Sequence, residues 1–367
     1  MNRMMFSRRD ALKAGSMLGA AAALGLSRPR HSFAAGEEIT IMTWETYNDD
    51  PWLEEYQSKS GVKVNAIRIG SNDETFAKLQ SGAVKPDLFV IDTGSIARFM
   101  GAKLLAPMDI SKVPNAVNIS PGLDYKSATT VDGALRAIPY NWGTQPLMYN
   151  AEAFPTKPDS WKALWDTQFA GKVSLPDDSY TVFPMITLAI GAKDPFNLTD
   201  AEFEQCAQAL REIRQQVSTL ARGFDDQTAI FASGDAVVGY CQNISSVFQL
   251  QDKGKKVEVA YPKEGTPAWV DCWVMTEEGA ARQVAYDFLN EMLSVKWQGR
   301  FIQTSGNNGI LPLDVAKSEG VTDAVLAKTN LKDAGDAAFW KTMVYFQNPE
   351  SVDRRLEMWN AFKAGTL

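Results

Sequence analysis

Apolar and polar positions along the chain fall into short blocks that read as single elements. "ITIMT" (Ile39–Thr43) is an apolar run of strand length that opens into the aromatic, polar turn "WETYND". A helix follows over 51–60, with Pro51 in its first turn, where a missing N–H costs nothing. "GVKVNAIRI" reads as a second strand, "DETFAKLQSG" as a helix and "PDLFVID" as a third, uninterruptedly apolar strand. Strands alternating with helices predict a parallel sheet covered on both faces. Ligands of such sheets bind beyond the C-terminal strand ends, where Trp44, Tyr47, Asp92 and Thr93 fall.

The pattern restarts near Trp142. "PLMYN" reads as a strand, "DSWKALWD" as a capped helix and "GKVSLPDD" as a strand ending in two acids. A helix near 183–190 and a longer one from Asp200 to about Val217 come next, then the strands "DAVVGYCQN" and "KKVEVAYP". "EGAARQVAYDFLNEMLS" (Glu278–Ser294) has the periodicity of an amphipathic helix, and the chain closes on helical "PESVDRRLEMWNAFKAG". The expected fold class is α/β, with two αβ lobes, a hinge and a ligand cleft between them.

One stretch breaks the pattern. "AWVDCWVM" (Ala268–Met275) has the apolar run of a buried strand, yet Asp271 stands in its middle with a tryptophan two residues to either side. Burying an unpaired carboxylate is costly, so Asp271 requires a partner.

Composition narrows the chemistry. The 367 residues are 45% hydrophobic and 22% charged, enough for about two domains with sizeable cores. "SRRDALKAG" carries twin arginines, the apolar "SMLGAAAALGL" follows, and "HSFAAG" offers a small-residue cleavage site. Residues 1–35 are therefore expected to be a twin-arginine export signal, although Ala11 stands where a bulky apolar residue is more usual. Removing them leaves 31 of 37 basic and 43 of 44 acidic residues, a net charge of −12, which disfavours nucleic acid and favours cationic partners. The one histidine, His31, leaves with the signal, which excludes Ser-His-Asp catalysis, Cys-His catalysis and histidine metal sites. Cys241 and Cys272 lie on strand-like runs, so a disulfide between them and three buried free thiols (with Cys206) both stay open.

"MTWETY", "YNWGTQPLMYN", "DSWKALWD", "FAGKVSLPDD", "YPKEGTPAWVD" and the final "FKAG" form an ordered series of landmarks. In that order and spacing the chain resembles the periplasmic spermidine/putrescine-binding proteins that serve ABC importers. The resemblance implies a type II periplasmic binding protein: a monomeric, non-enzymatic receptor without cofactor that closes on a small amine and hands it to separate permease and ATPase chains. The lobes are expected at 36–141 plus about 273–313, and at about 142–272 plus 314–367.

By that resemblance Trp44 and Tyr47 contact the ligand from the first lobe. Trp269 supplies an aromatic platform, Asp271 holds an ammonium group, Asp178 is a second-lobe acid and Gln347 a polar contact near the C-terminus. Four positions depart from the pattern: Thr181 stands in place of a glutamate, Gly94 near a missing aromatic, Gln242 in place of a tryptophan and Asp92 in place of a serine. A short ligand fits these losses better than a long triamine.

Arg222, in "LARGFDDQTAIF", could pair with a ligand carboxylate, which would suit an ω-amino acid such as γ-aminobutyrate. It could equally pair with Asp225 or Asp226. Asp178 and Asp92 also have the positions of helix caps. Trp142, Trp161 and Trp165 are expected to pack the core. A carboxylate-pair hydrolase built on Asp177–Asp178, or on Asp178 with Asp271, and a metal-binding transport protein are the other classes considered. Adjacent acids usually point apart, and no tyrosine pair stands near the acids to hold a metal.

Overall fold

The computed structural model describes residues 36–44, 47–70, 72–123 and 125–367. The expected export signal at 1–35 lies outside them. Thirteen strands are named in chain order: β1 Glu38–Trp44, β2 Lys63–Ile69, β3 Leu88–Asp92, β4 Thr130–Val131, β5 Ala134–Leu135, β6 Ile138–Thr144, β7 Leu147–Asn150, β8 Val173–Pro176, β9 Val217–Ala221, β10 Val238–Tyr240, β11 Val257–Ala260, β12 Thr266–Met275 and β13 Met343–Tyr345. Two sheets organise them, apart from the small β4–β5 hairpin. The first runs β13-β12-β3-β1-β2, with β6 also paired to β12; the second runs β11-β7-β10-β8-β9.

Strand β12 is the spine of the first sheet. Along one edge its residues 266–268 pair in parallel with β13, and its residues 271–275 pair antiparallel with β3. Strand β6 runs along the other edge. Because β13 runs with β12 and β3 against it, the C-terminal ends of β13 and β3 meet beside the middle of β12. Covered on both faces, β3 and β12 are apolar along nearly their whole length, as the sequence pattern requires.

The chain passes between sheets three times: after β6 through Gln145–Pro146, after β11 through Tyr261–Gly265, and after β13 toward the helix Val352–Ala364. That helix packs Trp359 and Phe362 into the core of the second sheet. The expected boundary near 273 would cut β12 in two. Its residues 268–272 hydrogen-bond with strands of the first sheet, so the whole strand stays with that sheet. Trp142 and the later residues Leu326, Leu331, Phe339 and Met343 also join the first core, which moves most of 314–343 to that side.

Local expectations differ from the structure in identifiable ways. "DSWKALWD" forms only a short 3-10 turn, Trp161–Trp165, capped by Ser160. Its tryptophans are pinned outside any helical ladder: Trp161 Nε1 donates to Gly265 O and Trp165 Nε1 to Ala209 O, both at 2.8 Å. Trp142 and Trp161 are buried and Trp165 packs on the second core, as expected. The helix beginning at Asp200 carries a Thr199–Glu202 capping box but stops at Ile213, and Val217 opens β9. The helix expected over 278–294 is two pieces, Glu277–Ala280 and Gln283–Met292. Arg282 is extended at the break, where its guanidinium bonds Asp87 at 2.6 Å and Glu38 O at 2.7 Å.

All three cysteines are free and buried. Cys272 lies in the first core, Cys241 and Cys206 in cores of the second side, so the Cys241–Cys272 disulfide does not form.

Candidate functional site

Where the C-terminal ends of β1, β3 and β13 meet the middle of β12, the structure opens a cleft of about 750 Å³. Trp44, Tyr47, Asp92, Trp269 and Asp271 line it together, with Tyr180, Thr181 and Phe224 facing them from the second side.

Asp271 stands at the centre. On β12 it is opposite Asp92 of β3 on one edge and Asn141 of β6 on the other. Between the partners of Asp271 and Cys272, β6 carries one extra residue, Tyr140, and such a bulge re-aims neighbouring side chains. Tyr140 uses its position to donate to Tyr47 O at 2.6 Å. The Tyr47 hydroxyl donates to Asp271 Oδ2 at 2.5 Å and accepts from Asn141 Nδ2 at 3.0 Å; Asn141 Oδ1 accepts in turn from Gly309 N at 3.0 Å. This chain fixes the carboxylate but brings it no positive charge. Burial pushes the Asp271 carboxyl up to about 7; the Tyr47 bond pulls it down and the charge of Asp92 raises it further. Burial also raises Asp92, partly offset by its bonds to Ser95. Burial first, then the Asp271 charge, holds the Tyr47 phenol well above its ordinary range.

The aromatic walls follow from strand alternation. Trp269 lies two residues before Asp271 and so on the same face of β12. Its indole covers Gly143, where a Cβ would stand 2.3 Å from Cζ2; only glycine leaves room for the ring. Trp44 ends β1, with its indole N–H buried and without a hydrogen-bond partner among the described residues. Asp92 both lines the cleft and caps the turn Thr93–Ser95, accepting from Ser95 N at 2.7 Å.

Four residues named from the sequence stand off this wall. Asp178 is exposed and caps the helix Ser179–Ala189, accepting from Tyr180 N at 3.3 Å and Thr181 N at 2.9 Å; it is Tyr180 and Thr181 that reach the cleft. Asp177 instead pairs with Lys363 at 3.0 Å, so the two adjacent acids are engaged in different directions. Arg222 is exposed; its backbone N–H, not its guanidinium, bonds Asp226 at 3.0 Å, and Phe224 takes the place on the wall. Gln242 ties strands together, its side chain donating to Ala221 O at 3.1 Å and its backbone carbonyl accepting from Gln145 Nε2 at 3.1 Å, while Asn243 lines the cleft. Gln347 is exposed on a neighbouring cavity of about 590 Å³, and Phe346 faces the cleft in its stead.

Arg68, at the penultimate position of β2, is a lining residue that the sequence reading did not single out. It donates to Asn48 O and pairs with Asp50 at 3.0 Å, leaving Nη1 buried without a partner among the described residues. The same strand-end argument that found Trp44 and Asp92 would have found it. A second cavity, about 310 Å³ beside Trp52 and Trp297, lies away from the strand ends, and its Glu55 is already paired with Lys59, Lys296 and Arg300. No group of three or more His, Cys, Asp or Glu side chains placed to hold a metal stands together among the described residues, and none of their helices is long and apolar enough to cross a membrane.

Residues 52–329 match the family described as bacterial extracellular solute-binding protein. The chain is 28% identical over 266 residues to spermidine/putrescine-binding periplasmic protein 1 of Haemophilus influenzae, covering 72% of each chain. It is 27% identical over 279 residues to the spermidine/putrescine-binding periplasmic protein of Escherichia coli K12, covering 75% of this chain and 78% of that one. Among solved structures, the spermidine/putrescine ABC transporter substrate-binding protein PotD of Streptococcus pneumoniae superposes with a TM-score of 0.73 at 18% identity, over 90% of this chain and all of that one. At that identity the likeness speaks for the two-lobed type II fold.

Proposed function

Because the chain belongs to the bacterial extracellular solute-binding protein family, we propose that it is the receptor of an ABC importer for a small amine of the putrescine/spermidine class. The observation that carries the ligand class is Asp271. Its carboxyl is buried and fixed by Tyr47, has no cationic partner among the described residues, faces the cleft and has Trp269 beside it. An ammonium group placed there would bond the carboxylate and lie against aromatic faces, two attractions that strengthen as water is excluded. On this reading the partner of Asp271 is the ligand. The names of the relatives, which bind spermidine and putrescine, support the same class. The ω-amino acid reading loses the clamp named for it, since Arg222 stands outside the cleft wall.

The rest of the reading is proposed with it. The protein works in the periplasm after export by the signal at 1–35, as a monomer without catalysis. Trp44, Tyr47, Asp92, Trp269 and Asp271 hold the ligand, and closure about the three crossings presents both lobes to permease and ATPase chains. A thermal-shift screen of the mature protein against diamines, triamines, ω-amino acids and neutral sugars tests it. An amine should raise the melting temperature, by about 2.7 kcal/mol of added stability at a hundredfold excess over Kd. A shift with sugars or amino acids and none with amines would reject the ligand class.

A further inference from the structure

We infer that Tyr180 sets the length of ligand this cleft accepts, supplying from the second lobe the aromatic wall that position 94 of the first lobe lacks. The inference rests on the amine-receptor reading above.

Tyr180 is the second residue of the helix Ser179–Ala189, whose apolar face belongs to the second core. Its ring crosses to the first side and stacks on Phe346, with centroids 5.3 Å apart and planes 26° apart. Phe346 is itself anchored to the first sheet, donating from its N–H to Ala268 O at 2.9 Å and accepting from Thr93 Oγ1 at 3.3 Å. The phenol ends against Gly94: a Cβ there would lie 2.0 Å from the Tyr180 oxygen and 3.3 Å from Cζ. Gly94 is not among the glycines at positive φ, so its backbone does not demand glycine. The space does. Tyr180 therefore fills the volume that a side chain at 94 would occupy, and the missing aromatic is replaced from the opposite lobe.

The hydroxyl adds chemistry to the wall. Its oxygen is buried and has no hydrogen-bond partner among the described residues, an unusual state for a phenol with one donor and a free acceptor. Asp92 lines the same cleft, and its charge acts on this phenol. A ligand ammonium arriving between them completes the set, donating one N–H to the Tyr180 oxygen and another to the Asp92 carboxylate. On this inference a short diamine lies between Asp271 and the Tyr180 wall, and a longer triamine meets the ring stacked on Phe346. Since Tyr180 and Gly94 belong to different lobes, this wall forms only as the lobes come together, and length is judged at closure.

Isothermal titration of the mature protein with putrescine and with spermidine tests the assignment in wild type, Tyr180→Phe, Tyr180→Ala, Gly94→Ala and the Tyr180→Ala/Gly94→Ala double variant. Wild type should prefer putrescine by about tenfold or more, and Tyr180→Ala should bring the two amines within about threefold. Tyr180→Phe should keep the preference while weakening putrescine by about tenfold, the loss of one hydrogen bond to a charged group. Gly94→Ala should weaken putrescine in the wild-type background and much less when Tyr180 is already alanine, because the clash is then gone. A wild-type protein that binds putrescine, with the same preference in Tyr180→Ala, overturns the role of Tyr180 alone. A wild type that binds neither amine overturns the amine-receptor reading, and this inference with it.

Discussion

Asp92 and Asp271 stand directly opposite each other on adjacent antiparallel strands, and both line the cleft. Two carboxylates so placed repel when ionised, and like charges opposite each other destabilise a sheet. The arrangement is stable when a proton or a cation lies between them. Several consequences of that pair can be measured.

Asp271→Asn should act in opposite directions on binding and on folding. Losing the charge-assisted contact should cost an amine on the order of 2–5 kcal/mol of affinity. Without ligand, the variant should be more stable than wild type at about pH 8, because it buries an amide in place of a carboxylate. The rise of the Asp271 carboxyl from 3.8 to about 7 bounds that gain at about 4 kcal/mol. A variant that keeps wild-type affinity would remove Asp271 from the site.

The sign of the pH dependence follows from the same shift. A carboxyl with a higher pKa folded than unfolded contributes stability that is present below 3.8 and is lost as pH rises through about 7. Unliganded wild type should therefore lose stability relative to Asp271→Asn on passing from about pH 5 to about pH 8. Amine binding needs the ionised form, so its affinity should fall as pH drops below about 7, approaching tenfold per unit, with proton release visible in buffers of different ionisation enthalpy. Titration calorimetry giving one affinity from about pH 8 to about pH 5.5 would contradict this.

Asp92→Ser separates the two acids. Serine retains a capping oxygen for Ser95 N and removes the facing charge. The pH at which binding weakens should move down, since Asp92 is one of the causes raising Asp271. An unmoved profile would mean that burial and the Tyr47 bond set the Asp271 titration without Asp92.

Gly143→Ala probes the indole platform. The added methyl would meet Trp269 Cζ2 at 2.3 Å and must displace the ring toward the cleft. Overpacking of this kind costs about 1–3 kcal/mol of stability, and amine affinity should fall with it. An unchanged Kd would mean that the platform does not touch the ligand.

The thiols offer an independent check on the cores. Burial lifts Cys206 and Cys241 to about 12 and raises Cys272 well above the ordinary thiol range, so none is poised to react. A thiol reagent should label none of the three in the native protein and all three after denaturation. Labelling of only one after denaturation under non-reducing conditions would reveal a disulfide.

The strand–helix alternation and the conspicuous Asp271 were legible because each is written in a periodicity or in a cost. Strand ends place Trp44 and Asp92, and a two-residue period puts Trp269 beside Asp271. The misses share one form. Asp178 gives way to Tyr180 and Thr181, Arg222 to Phe224, Gln242 to Asn243 and Gln347 to Phe346. Each lies within three residues of a lining side chain, in a loop or at a helix start. No periodicity dictates there which side chain points inward, so neighbourhood could be inferred and direction could not. The lobe boundary failed for another reason: β12 gathers partners from positions 88–92, 138–144 and 343–345, and long-range pairing leaves no local mark.

The three crossings also limit how the lobes can move. They join the first sheet at the ends of β6, β12 and β13, strands that lie side by side. Three straps fastened in a row permit bending across the row but resist twisting and sliding along it. The second lobe is thus confined to nearly one path. An importer facing this receptor would meet outlines that differ along that one path, so that occupancy is read as how far a single bend has gone.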